Sequence, residues 1–186
     1  MTTQAVSITT GNPTFSKIFT DTATDGVWSG NVLTDTISTQ NIGILIPNAT
    51  LSWVQPEYEA GLMAWRLQNA QTLAVSRFGF GTKATFNSKV PIAPVRVSPN
   101  DILTAYPLPV DGTANKTNAL AWVTTSKGIE LFDSLAVTDS TATEMKTAVN
   151  DQTLGDAFFN STLSAIAVQV EDGAIVDRIE IVDNLG

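Results

Sequence analysis

Carboxylates, hydroxyls, amides and a few amines are the side chains left to do chemistry here, because the 186 residues include no histidine and no cysteine. That removes the imidazole base, the thiolate nucleophile, the soft metal ligand and the disulfide. Glu57 and Glu59 flank Tyr58, and a glycosidase needs two carboxylates across a bond. Two neighbours on one strand face do not face each other across a cleft, so solvated carboxylates are the plainer reading. A serine nucleophile would depend on lysine, and no Ser-x-x-Lys opens a helix. Catalysis is therefore not expected.

Ligand-binding patterns are equally sparse. Gly79-Phe80-Gly81-Thr82-Lys83 lacks the spacing and following helix with which a phosphate loop turns backbone amides on a nucleotide. It reads as a strand ending in a glycine bend. Asp133, Asp139 and Glu144, or Asp111 with Asn115 and Asn118, offer oxygen ligands without the spacing of a calcium loop. No cofactor and no metal are expected. Trp53 and Trp122 lie in apolar runs and read as core, each needing an acceptor for its indole N–H. Trp28, in the polar stretch Asp25-Gly26-Val27-Trp28-Ser29-Gly30, is the candidate for an exposed contact.

Composition narrows the partners. Only 15% of residues are charged, below the roughly 25% of an ordinary domain, while 43% are hydrophobic. Such a chain folds, and much of its surface is neutral or covered by neighbours, as in a homo-oligomer. The net charge of −8 is segregated: residues 1–129 carry +1 and residues 130–186 carry −9. Nucleic acid is not an expected partner, since no basic patch would displace phosphate counterions. A basic protein surface could meet the acidic third. Met1 to Pro13 hold no basic segment followed by an apolar run, and the longest apolar stretch, Ile42 to Pro47, is too short for a bilayer. Cytoplasmic synthesis without membrane association is expected. Asn48, Asn115 and Asn160 begin glycosylation-like triplets but read as turn residues.

Alternating, turn-punctuated runs must build the scaffold. Leu163 to Glu171 and Ala174 to Asp183 flank Asp172-Gly173, the strongest hairpin signal in the chain. Ile166, Val168 and Val170 share one face, and Ile175, Ile179 and Ile181 another. Asn41 to Pro47 and Ala49 to Gln55 read as strands broken at Pro47-Asn48. Val90 to Val97 carries Pro91 and Pro94 and is predicted at a sheet edge. Ser98-Pro99-Asn100-Asp101 predicts a type I turn into a strand over Ile102 to Leu108. Ala119 to Thr125 and Ile129 to Phe132 predict a hairpin about Lys127-Gly128. Ala60 to Phe78 fits a helical face as well as alternation; Asn69-Ala70 favours a hairpin of Leu62 to Gln68 with Thr72 to Phe80. Thr141 with Glu144, and Met145 with Val149, predict a short helix to Asn150. The sum is an all-β domain, a β-sandwich or jelly-roll, with one short helix. Residues 1–40 read as an extended N-terminal arm with the first strand or strands, and residues 41–186 as the body.

Phe78-Gly-Phe-Gly-Thr-Lys83, Val97-Ser-Pro-Asn-Asp-Ile-Leu103, Leu154-Gly-Asp-Ala-Phe-Phe159 and Val168-Gln-Val-Glu-Asp-Gly173 with Ile179-Glu-Ile-Val-Asp183 resemble virion structural proteins of tailed phages. Cyanophage head proteins, including small all-β cement or decoration subunits, are the nearest in texture, over roughly residues 40–186. The resemblance implies a non-catalytic subunit on the outer capsid surface that binds the major capsid protein, clamps capsomers and associates as a dimer or trimer. A tail or fibre domain that recognises glycan through Trp28 is the alternative. The arm, through Thr2, Val6, Ile8, Phe15, Ile18 and Phe19, is the expected partner interface, together with Trp28 and the edge residues Val90, Ile92, Val95 and Val97.

Overall fold

The computed structural model describes residues 2–9, 14–21, 24–28, 30–58, 61–81, 90–110, 113, 115–138, 141–171 and 174–182, with residues 2–9, 14–18, 20, 21 and 57 described by their backbone alone. The elements are β1 (Thr2–Thr9), β2 (Thr14–Asp21), β3 (Thr34–Asp35), α1 (Ile42–Leu45), β4 (Thr50–Glu57), β5 (Gly61–Asn69) and β6 (Val75–Gly81), then β7 (Val90–Arg96), β8 (Asp101–Pro109), β9 (Lys116–Thr125), β10 (Gly128–Thr138), β11 (Lys146–Thr147), α2 (Leu154–Ala157) and β12 (Leu163–Val170). Every described strand pairing is antiparallel. The protein is all-β, with two single-turn helices. Its strands form three sheets, ordered β3-β2-β1-β4-β7, β6-β5-β8 and β11-β10-β9-β12.

Side-chain alternation stacks these sheets in layers. On β5 and β8, Met63, Trp65, Leu67, Leu103 and Ala105 point into a core shared with Phe19, Leu51 and Val54 of the five-stranded sheet. The opposite faces of the same two strands send Leu62, Ala64, Tyr106 and Leu108 against Leu120, Trp122 and Leu131 of the four-stranded sheet. The small sheet is therefore the middle layer, covered on both sides, and its strands read as almost continuous buried runs. Each leucine or methionine so enclosed contributes about 1.5–3 kcal/mol of burial. A third cluster seals the outer face of the four-stranded sheet, where Met145, Leu154 and Phe158 cover Ala121, Val123 and Phe132.

Local chemistry explains the hairpins and the departures from expectation. β5 and β6 form the expected hairpin: Asn69 Oδ1 accepts from Gln71 and Thr72 N–H, closing an Asx turn. The Ser98–Asp101 turn forms as read, with Asp101 N–H donating to the Ser98 carbonyl at 3.0 Å. Asn48, Asn115 and Asn160 all adopt positive φ (68°, 62° and 52°), the turn role assigned to them. The 41–47 run is not a strand. Asn41 caps α1 by accepting from Ile44 N–H at 3.0 Å, and Gly43 lets the turn press on the 98–101 carbonyls. The predicted helix over 141–150 is absent too. Lys146 and Thr147 pair with Asp133 and Phe132 as β11, and Met145 enters the outer cluster. Pairing and burial there outweigh a capping signal worth about 1 kcal/mol. The capped turn is α2, where Thr153 Oγ1 accepts from Asp156 N–H.

Residues 1–40 also depart from a free arm. β1 lies between β2 and β4, paired on both sides, so it is an interior strand of the largest sheet. Its Thr, Val and Ile residues read as polar and unanchored by composition, yet β-branched residues suit a strand. The second half of the C-terminal hairpin is missing as a strand: 174–182 form none, while Asp172, Gly173 and Asp183 lie outside the described residues.

A Cβ at Gly43 would sit 2.6 Å from the Asp101 and Pro99 carbonyl oxygens and 2.7 Å from that of Ser98. Gly43→Ala should therefore destabilise the protein by about 1–3 kcal/mol, read as a lower denaturation midpoint, whereas alanine at the open Gly155 should cost far less.

Candidate functional site

A hollow of about 480 Å³ opens where the four-stranded sheet stops covering the middle layer; Trp28, Val32, Arg66, Gln68, Thr104 and Val149 line it. Arg66, Gln68 and Thr104 continue the face that carries Leu62, Ala64 and Tyr106, so alternation alone delivers polar groups to its uncovered end. Arg66 Nε donates to Thr104 Oγ1 at 3.3 Å, and the guanidinium lies 4.0 Å above the Trp28 ring. Trp28 in turn packs on Tyr106 and Trp122, with centroids 5.3 and 5.9 Å away. Burial lowers the Arg66 pKa from its usual value, and the nearby Glu130 charge opposes that shift. The guanidinium still stays cationic at any working pH. The groove thus presents a cation–aromatic stack with no nucleophile and base placed together.

Trp28 was expected as an exposed contact; it is only 8% exposed and belongs to the core. Two aromatics and the apolar stem of Arg66 reward its burial more than solvent would. Its ring carries a guanidinium, which removes the face a sugar would stack on. Its indole N–H has no acceptor among the described residues, whereas Trp122 Nε1 donates to the Gly79 carbonyl at 3.0 Å. Trp53 is half-buried rather than core.

The other expected interface residues divide. Phe19 and Val97 are fully buried in the first core cluster and cannot meet a partner. Thr2, Val6, Ile8, Phe15 and Ile18 lie on β1 and β2, whose backbones are committed to the sheet. β7 does sit at the edge, with Val90 exposed and Ile92 and Val95 packed partly against the core. Its edge is occupied, however. Arg77 of β6 donates from Nε to the Ala93 carbonyl at 2.7 Å and from Nη2 to that of Pro94 at 3.1 Å, while Pro91 and Pro94 lack N–H groups.

Oxygen-bearing candidates are likewise spent on structure. Asn118 donates to the Pro109 carbonyl at 2.9 Å and accepts from Ala136 N–H at 2.9 Å, fixing the bulge where Ala136 adopts φ 53°. Asp133 accepts from the Tyr106 hydroxyl at 2.5 Å. Asp111, Asp139, Glu59, Thr82 and Lys83 lie outside the described residues, as does the side chain of Glu57. Among the described residues no three acidic side chains converge on a metal position. No described helix is long and apolar enough to cross a membrane. Sequence reasoning missed Arg66, Tyr106 and Arg77, because isolated cations and tyrosines within strands carry no local pattern.

No family model, no curated protein and no solved structure matches this chain.

Burial raises the carboxyl pKa of both Asp133 and Glu130, with the Tyr106 hydrogen bond and Arg66 respectively pulling the other way. Each carboxyl holds its proton more tightly folded than unfolded, so folding takes up protons and stability falls as pH rises through that window. The thermal midpoint should therefore carry a contribution that falls as pH rises through the raised pKa values of these two carboxyls. Asp133→Asn, which keeps an oxygen acceptor for Tyr106, should be at least as stable above that range and lose part of the acid-side gain.

Proposed function

We propose that this chain is a non-catalytic virion structural protein, a cement or decoration subunit on the outer surface of a tailed-phage head. A contact-based role rests on one observation: where the polar and apolar side chains are used. Asn31, Asp35, Asp101, Asn118 and Asp133 are engaged in binding loops and strands to one another. Large apolar groups such as Ile37, Leu73 and Phe159 stand at the surface. A protein that keeps its polar groups for itself and offers apolar ones outward is suited to binding macromolecular surfaces. The phrase resemblance over residues 40–186 supplies the finer reading, with the major capsid protein as partner and a homo-oligomer as the working form. The same resemblance supports a location in the virion, after synthesis in the host cytoplasm.

The segregated charge supports the same reading. A body near neutrality with an acidic final third can orient on a basic capsid face while apolar contacts provide the hold. Glycan recognition through Trp28, the alternative, has lost the exposed ring it needs.

Phage heads assembled without the protein should release DNA at lower temperature than complete heads, and adding back purified protein should restore the difference. Equal heat resistance, or no rebinding to depleted heads, would remove the cement role.

A further inference from the structure

Sheet edges invite pairing unless they are shortened, charged or covered, and several of the described edges are treated in one of these ways. β3 and β11 are two residues long. β7 is protected by two prolines and Arg77, which also ties β6 against it. β8 is laced by the 26–33 segment: Gly26 and Leu33 N–H donate to Pro107 and Leu103, and Asn31 accepts from Ala105 N–H. β12 is different. Its eight residues, Leu163–Val170, contain no charge and no proline, and only its β9 side is paired among the described residues.

The same chain carries an unpaired strand-like segment. Residues 174–182 alternate as a strand does, with Ile175, Asp177, Ile179 and Ile181 on one side and Val176, Arg178, Glu180 and Val182 on the other. The three isoleucines are 86, 53 and 60% exposed. Arg178 and Glu180, two apart, pair at 3.1 Å, as side chains on one face of extended chain can. Between 174–182 and its own sheet, one backbone bond is described, from Ala174 N–H to the Glu171 carbonyl at 3.0 Å. The segment then makes no ladder on the β12 beside it.

We propose that residues 174–182 of a second copy of this chain pair antiparallel with the open edge of β12. The sequence specifies the register, because a closing pair of Glu171 with Ala174 sets Ile175 opposite Val170 and Ile179 opposite Ile166. That places Ile175 and Ile179 on the side where Ile166 and Val168 already pack with Phe158 and Met145, with Asp177 between them opposite Val168. One docking event therefore fills the β12 ladder and adds two isoleucines to the outer apolar cluster. The occupant is another copy because the segment matches the edge in register, yet in the chain that carries it only Ala174 bonds back, to Glu171, and 174–182 form no strand. Reciprocal exchange closes a dimer, and a cyclic exchange closes a trimer.

The absence of native cysteine makes the test direct. Ile166 and Ile179 would form a non-hydrogen-bonded pair, the closer kind, so Ile166→Cys with Ile179→Cys should link under mild oxidation. Non-reducing electrophoresis should show covalent dimers or trimers, peptide mapping should find the 166–179 link, and Ala167→Cys with Ile179→Cys should not form one. Light scattering should give the full-length chain at least twice its monomer mass. Ile175→Asp with Ile179→Asp, changed where the isolated chain exposes them, should return it to monomer with unchanged circular dichroism. A 166–179 link within single chains would overturn the proposal in favour of a closed hairpin. No link, or a native monomer at micromolar concentration, would overturn it as well. Head stability does not enter these readouts, so they stand apart from the cement reading.

Discussion

A β-sheet covered on both faces has no side on which to place polar residues, and the rest of this fold follows from that constraint on the middle layer. β5 can send Leu62 and Ala64 one way and Met63, Trp65 and Leu67 the other only if apolar sheets arrive on both sides. Registers must then be fixed on each interface, because a one-residue slip in β5 would exchange its two faces and mismatch both cores. Gly61 shows the tightness. It adopts φ 145° and would place a Cβ 2.1 Å from the Leu108 carbonyl oxygen, so only glycine fits where β5 begins against β8.

Buried polar side chains then act as register pins. Asn118 holds β9 to the end of β8 and to the bulge of β10, while Trp122 reaches across layers to Gly79. The Tyr106–Asp133 bond joins the middle sheet to the four-stranded one. Each such bond contributes about 1 kcal/mol net, but a wrong register would leave the same groups buried and unpaired at about 1–3 kcal/mol each. Uniqueness is gained at the cost of two strained carboxylates, Asp133 and Glu130, whose charges sit where desolvation disfavours them. With histidine and cysteine absent, geometry of this kind is what remains to specify the arrangement.

Much of this was legible in the sequence, and the remainder was hidden for physical reasons. Turns whose chemistry is local, the hairpins at Asn69 and Lys127-Gly128 and the link at Ser98–Asp101, could be read because three or four residues decide them. The edge position of β7 was legible from its prolines. Asn41–Pro47 was misread because a single capped turn of β-branched residues has no helical period to display. Residues 141–150 failed for the opposite reason: a good capping pattern yielded to distant pairing with β10. Burial of Trp28 depends on Arg66, Tyr106 and Trp122, which lie 38 to 94 positions away in the chain, and no window encloses them. Interior placement of β1 is a topological fact of the same order, invisible until β4 is known to pair with it.

The management of edges separates chance exposure from design. A chain that uses prolines, an arginine clamp and a lacing segment to close the edges of β7 and β8 is under pressure to protect its edges. Leaving β12 uncharged beside three exposed isoleucines on one strand face contradicts that pressure if the isolated chain is the final state. It is consistent if the edge is closed by assembly. The low charged fraction points the same way, since an interface that will be dehydrated cannot carry many ions. The Arg178–Glu180 pair on the segment's other face keeps that face compatible with water. What reads as an unfinished hairpin in a single chain is then a complete half of a contact between two.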